Sequence, residues 1–88
     1  MRTIYKYDIF IQDVFTILMP IDAEILTVQT QYGSPYFWAK VDTNAEKERR
    51  RFCLFGTGHE IPPEKDLQYI GTFQVSGGSL VFHLFEEL

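Results

Sequence analysis

Cysteine is nearly absent from this sequence, since Cys53 is the only thiol among 88 residues. An intramolecular disulfide is therefore impossible, and no Cys/His cluster is present that could hold a structural zinc ion. Chains without disulfides are typical of reducing compartments, and residues 1–6 lack the long apolar stretch of a signal peptide. We therefore expect a cytoplasmic protein with neither a metal site nor a bound cofactor.

Long hydrophobic runs and an excess of positive charge are also missing. Charged or strongly polar residues interrupt every window long enough to cross a bilayer, so we predict no membrane insertion. The formal net charge is −4. This balance argues against a general nucleic-acid binder, because affinity for phosphate backbones comes mostly from Lys and Arg.

Aromatic residues, by contrast, are plentiful, at 16% of the chain with eight Phe and five Tyr. A chain of this length forms about one domain, here residues 1–88, and a domain this small needs a dense apolar core. Each buried ring removes a large apolar area from water. The aromatic side chains can therefore supply a core that no disulfide supports.

Alternating apolar and polar residues, broken by turn residues, predict short strands throughout the chain. The predicted strands cover residues 3–11, 14–19, 24–32, 36–42, 52–55, 68–75 and 80–85. We expect the first two strands to form a hairpin, the charge-rich residues 43–51 to form a loop, and the last two strands to form a glycine-turned hairpin. Residues 80–85 are apolar on both faces, which is typical of a central strand. The pattern predicts an all-β fold, either a compact antiparallel sandwich or a small barrel of six to seven short strands.

The segment Gly56-Thr57-Gly58-His59 is the most conspicuous local motif. Consecutive backbone N–H groups in a glycine-rich turn can form an anion-binding nest. The segment matches neither the P-loop nor the dinucleotide fingerprint, and glycine commonly marks a plain turn. Both interpretations, ligand loop and structural turn, stay open.

Two further groups of residues are candidates for a binding surface. Tyr36 and Trp38 would form one if their rings are exposed, because Trp, Tyr and Arg recur at interface hot spots, but the rings could equally fill the core. Arg49 and Arg51 could grip an acidic partner or a phosphate. The alternative for these two is a solvated segment whose charge is offset by neighbouring glutamates.

Catalytic residues are not evident. Cys53 could in principle pair with His59 or His83 as a nucleophile and base. However, Cys53 lies between two apolar residues of a predicted strand, where cysteine usually behaves as a small inert apolar residue. We predict that the protein is not an enzyme.

Several segments carry a resemblance to known sequences. They are Phe55-Gly56-Thr57-Gly58-His59-Glu60, Tyr69-Ile70-Gly71-Thr72-Phe73-Gln74, and Gly77-Gly78 followed by Leu80-Val81-Phe82-His83. The chain resembles, over nearly its whole length, a family of short uncharacterised bacteriophage and prophage proteins. The resemblance implies a phage-encoded protein that acts inside a bacterial cell, and it implies no activity.

Together these observations predict a non-enzymatic binding module, a phage accessory or counter-defence protein that binds a host protein. One alternative is a sponge for a nucleotide signal, with the loop at residues 56–59 holding phosphate and Tyr36 or Trp38 stacking on a base. Another alternative is a structural protein of the virion. We also expect a homo-oligomer, because a small sheet with open edges readily pairs with a copy of itself.

Overall fold

Seven strands in two antiparallel sheets make up the fold, which confirms the all-β prediction. The computed structural model describes all residues from 1 to 88. The strands are β1 (Arg2–Asp8), β2 (Val14–Pro20), β3 (Glu24–Gln31), β4 (Ser34–Asp42), β5 (Lys47–Gly56), β6 (Leu67–Val75) and β7 (Leu80–Glu87). One sheet has the order β1-β4-β3 and the other β2-β5-β7-β6. The two sheets are not closed on each other, so the fold is a sandwich and not a barrel.

The predicted hairpin of the first two strands is wrong. β1 pairs with β4, and β2 pairs with β5 in the other sheet. The chain leaves the first sheet at Ile9, which is buried and whose N–H donates to the Pro35 carbonyl oxygen at 3.2 Å. Because burying Ile9 draws the chain into the interior, residues 9–13 cross between sheets instead of turning back.

The predicted loop at residues 43–51 is wrong for its second half. Lys47–Arg51 belong to β5, where they pair with β2 from Pro20 to Thr16. A strand accommodates this charge because alternate side chains face solvent. Among these five residues, Arg50 is the one whose side chain faces inward, and it is paired with a carboxylate.

The C-terminal hairpin is as predicted. β6 and β7 pair over their full lengths and are joined by a single turn of 3-10 helix at Ser76–Gly78. Gly77 and Gly78 both have positive φ, at 65° and 91°, which favours glycine at these positions. β7 lies in the interior of the four-stranded sheet, between β5 and β6, as expected of a central strand.

A row of aromatic rings fills the space between the sheets. Tyr7, Phe37, Phe52 and Phe15 follow one another with centroid separations of 5.2, 5.2 and 5.5 Å. Phe37 and Phe52 have no exposed surface. The inward position of Phe37 settles the orientation of β4, because it places the alternate residues Tyr36 and Trp38 on the outer face.

The sheets approach closely where β3 crosses β6. An ideal Cβ at Gly71 would lie only 2.9 Å from the Cβ of Val28, so glycine is required for this approach. Each of these edge strands carries a register shift, at Leu26 in β3 and at Ile70 in β6. Both shifts are β-bulges, which bend the strand and interrupt its ladder.

A half-buried ion pair ties the connection between β2 and β3 to the four-stranded sheet. The Arg50 guanidinium donates to both carboxylate oxygens of Glu86, at 2.6 and 2.7 Å, and also to the Ala23 carbonyl oxygen. These hydrogen bonds to Glu86 raise the pKa of Arg50 above its ordinary value. Bidentate pairs of this kind fix geometry as well as supplying energy.

Candidate functional site

The predicted site residues lie on separate surfaces. Tyr36 and Trp38 project from the outer face of the three-stranded sheet, whereas Arg49 and Arg51 are exposed on the four-stranded sheet. The segment at residues 56–59 begins at the last residue of β5. The aromatic residues therefore do not share a pocket with the glycine-rich loop.

Trp38 lies at the centre of an apolar surface. In the ladder it stands between Lys6 of β1 and Thr27 of β3. Ile4, Leu26, Thr27, Gln29 and Trp38 line a shallow cavity of about 300 Å³, and we call this set the Trp38 face. Ile4 is 56% exposed and Leu26 is 44% exposed. The bulge in β3 contributes directly, because it aims the Leu26 side chain at this surface.

A cation lies beside the Trp38 face. The Lys6 ammonium is 4.4 Å from the centroid of the Tyr36 ring and donates to Gln31 Oε1 at 3.0 Å. Tyr36 and Trp38 contact each other edge to face, with centroids 6.2 Å apart. Lys40 on the same face is paired with a carboxylate, whereas Lys6 is not. Lys6 is therefore a positive charge next to apolar surface that remains open to an acidic group.

The two arginines of the predicted basic patch differ in their surroundings. Arg51 donates to Glu87 Oε1 at 2.8 Å, and Lys65 donates to the same oxygen at 3.3 Å. These two hydrogen bonds, that of Arg51 first, hold the pKa of Glu87 below its ordinary value. Arg49 is exposed and makes no ion pair. Much of the basic charge is thus neutralised within the chain.

The segment Gly56–His59 is a tight turn. The His59 N–H donates to the Gly56 carbonyl oxygen at 3.0 Å, and Gly58 has a φ of +86°, which is typical of the third residue of a type II turn. The His59 ring packs so closely on Gly56 that an ideal Cβ there would lie 2.9 Å from its Cε1. Thr57 Oγ1 hydrogen bonds to Nε2 of His83 at 2.7 Å. Gly56, Gly58 and His59 therefore each have a role in forming the turn itself.

A cavity of about 330 Å³ lies beside this turn. Its ionisable lining residues are Asp13, Cys53, His59, Glu60 and Lys65. Burial raises the pKa of the Cys53 thiol above its ordinary value, and the thiol lies 3.7 Å from Glu87 Oε1. No group of three or more His, Cys, Asp or Glu side chains is close enough together to hold a metal ion.

Comparison with known proteins identifies the family. The model of a domain of unknown function, DUF7352, matches residues 1–88. The chain belongs to this family. No curated protein and no solved structure gives a significant match to this DUF7352 domain. The family is an uncharacterised one, in agreement with the resemblance noted above. The domain contains no helix with the length and apolar character needed to span a membrane.

Sequence reasoning missed three residues that shape the surface of this DUF7352 domain. Ile4, Lys6 and Leu26 come from two strands that are far apart in the sequence, and β4 brings them together. Alternation correctly placed Lys6 on the face opposite Tyr5 and Tyr7. Nothing in the sequence indicated which strand would lie next to it, so the cluster around Trp38 could not be assembled.

Proposed function

We propose that this DUF7352 domain is a non-enzymatic binding module, encoded by a phage or prophage, that docks onto a host protein in the bacterial cytoplasm. The observation that carries the proposal is the Trp38 face, an apolar surface with a shallow cavity that no other part of the chain covers. A partly exposed Trp beside the exposed side chains of Ile4 and Leu26 forms an apolar surface that is costly to leave in water. Apolar patches of this kind mark interaction surfaces, and Trp is enriched among their hot spots.

The surroundings of the Trp38 face define the chemistry of the partner. The cavity accepts one apolar side chain, and Lys6 offers a positive charge without a carboxylate partner. A partner segment that carries an apolar residue next to Asp or Glu would fill the cavity and reach Lys6. Such a charge at the rim contributes mainly to association rate and specificity.

Two features support binding over chemistry or nucleotide capture. Cys53 is a poor candidate nucleophile, because the thiol is buried and that burial raises its pKa above the ordinary value. Near the turn at residues 56–59, Lys65 is already bonded to Glu87, and the carboxylates of Asp13 and Glu60 line the cavity. Two carboxylates repel a phosphate, so the phosphate-binding alternative has less support.

The test compares three forms of the protein as bait in lysate of a bacterial host. They are the wild type, Trp38→Ala, and the control Tyr32→Ala, whose ring is fully exposed outside the Trp38 face. We expect a protein captured by the wild type and by Tyr32→Ala to be lost with Trp38→Ala. Truncating a hot-spot Trp costs about 2 kcal/mol or more, which is a loss of affinity of about 30-fold.

The captured protein then allows a direct measurement in solution. Trp38 is the sole tryptophan, so its fluorescence emission should move to shorter wavelength when the partner covers it. Lys6→Glu should weaken the same complex. The proposal is wrong if Trp38→Ala, shown to be folded by circular dichroism, retains the wild-type partner and affinity.

A further inference from the structure

The two sheets have four edge strands, and three of them are protected against pairing with another chain. An edge strand presents unpaired N–H and C=O groups, which proteins shield with bulges, charged side chains or proline. β3 and β6 each carry a bulge. β1 carries Arg2, Lys6 and Asp8.

β2 has neither a bulge nor a charged side chain. Its sequence, Val-Phe-Thr-Ile-Leu-Met-Pro, contains no charged residue, and it pairs with β5 without a register shift. Its proline, Pro20, stands at the end of the strand, where it leaves the preceding N–H groups free to pair. A regular, uncharged edge strand of this length is a template for pairing with a further strand.

Exposed apolar side chains lie on β2 and next to both of its ends in the chain. They form an apolar rim that consists of Phe10, Ile11, Leu18 and Ile21, each between 38% and 52% exposed. Phe10 is anchored to β2 by an edge-to-face contact with Phe15, with centroids 5.8 Å apart. Phe10 and Ile11 precede the strand and Ile21 follows it, so apolar surface is present at both ends.

We propose that β2 pairs antiparallel with β2 of a second copy across a two-fold axis, which joins the two four-stranded sheets into one sheet of eight strands. A second copy fits because antiparallel pairing brings the Phe10 and Ile11 end of one chain to the Ile21 end of the other. Apolar surface then meets apolar surface at both ends. The absence of charge on β2 also removes the like-charge opposition that disfavours self-pairing.

The proposed dimer leaves the binding surface free. The Trp38 face lies on the three-stranded sheet, whereas β2 is the edge of the other sheet. Dimerisation presents two copies of the Trp38 face on one particle. The dimer therefore goes beyond the proposed function, and either proposal can fail without the other.

Sedimentation velocity of the wild type and two lysine variants tests the dimer. Leu18→Lys places a charge on the β2 edge, and Leu26→Lys places the same charge at an apolar position of similar exposure on the other sheet. We expect the wild type and Leu26→Lys to sediment at twice the chain mass of 10.3 kDa and Leu18→Lys to sediment as a monomer. Both variants alter exposed side chains and should remain folded by circular dichroism.

Hydrogen exchange of the wild type supplies a second measurement that does not depend on a variant. The amides of residues 14–19 should exchange more slowly as protein concentration rises, because pairing protects them. A wild type that remains monomeric at about 100 μM, well above the micromolar affinities of weak interfaces, overturns the proposal. A dimer that Leu18→Lys leaves intact, or that Leu26→Lys dissociates, also overturns it.

Discussion

Replacing Gly71 with alanine should destabilise the sandwich at the close approach of β3 and β6. The new Cβ would lie 2.9 Å from Val28 Cβ and 3.0 Å from Val28 Cγ2. The Cβ of Val28 cannot rotate away, because its position is fixed by the backbone. Relief therefore requires one strand to move away from the other.

The magnitude follows from two opposing effects. Overpacking a well-filled site costs about 1–3 kcal/mol. Alanine also restricts the unfolded chain more than glycine does, which returns about 0.4–1 kcal/mol. We expect Gly71→Ala to lower the free energy of unfolding by about 1–2 kcal/mol, a substantial part of the roughly 4–13 kcal/mol that a domain of this size possesses.

Urea denaturation with a double-mutant cycle provides the assay. With a slope of about 1 kcal/mol per molar urea, the midpoint should fall by about 1–2 M for Gly71→Ala. Val28→Gly removes both contacted carbon atoms, so Gly71→Ala should cost nothing further in that background. If Gly71→Ala costs the same with Val28 and with glycine at position 28, the steric explanation is refuted.

The remaining predictions concern the ion pairs of β5 and β7. Arg50→Met should cost about 2–4 kcal/mol in urea denaturation, because it leaves the Glu86 carboxylate and the Ala23 carbonyl without their donor, and adding Glu86→Leu should recover part of the loss. The matched change at the exposed position, Arg51→Met, should cost less than about 1 kcal/mol, and equal losses for the two arginines would contradict this reasoning. For Glu87, whose pKa is lower in the folded state, stability is gained above the ordinary pKa of the carboxyl group and lost as pH falls through the folded value. Glu87→Gln should therefore reduce stability at pH 7 and leave it unchanged near pH 2, and a loss of the same size at both pH values would count against the pKa effect.

The sequence predicts the strands of this domain better than their partners. Alternation located six of the seven strands to within a few residues, because the period of two records which side chains are buried. It failed for Lys47–Arg51, where the inward Arg50 looks polar in sequence and its partner Glu86 is far away along the chain. The prediction of a hairpin between β1 and β2 was wrong, because a short polar link such as Gln12-Asp13 has the same sequence pattern whether the chain turns back or crosses to another sheet.

The candidate site was predictable only in part. The sequence did not decide whether Trp38 and Tyr36 are exposed or lie in the core, because β4 is apolar on both faces. Only the burial of Phe37 in the structure orients this strand. The contribution of Leu26 depends on a bulge that has no clear sequence signal. The glycine-rich turn was visible, but the contacts of His59 with Gly56 and of Thr57 with His83 require the fold.

The pairing of β2 with β5 has a consequence for the synthesis of the chain. β2 is complete at Pro20, but its partner residues extend to Cys53. While the intervening residues are being made, an uncharged and strongly β-forming segment has no strand to pair with. Folding dominated by such distant pairings is slow and leaves strand edges open to other chains. Misassembly of newly made chains should therefore begin at residues 14–20, before the sandwich that normally covers one side of this segment exists.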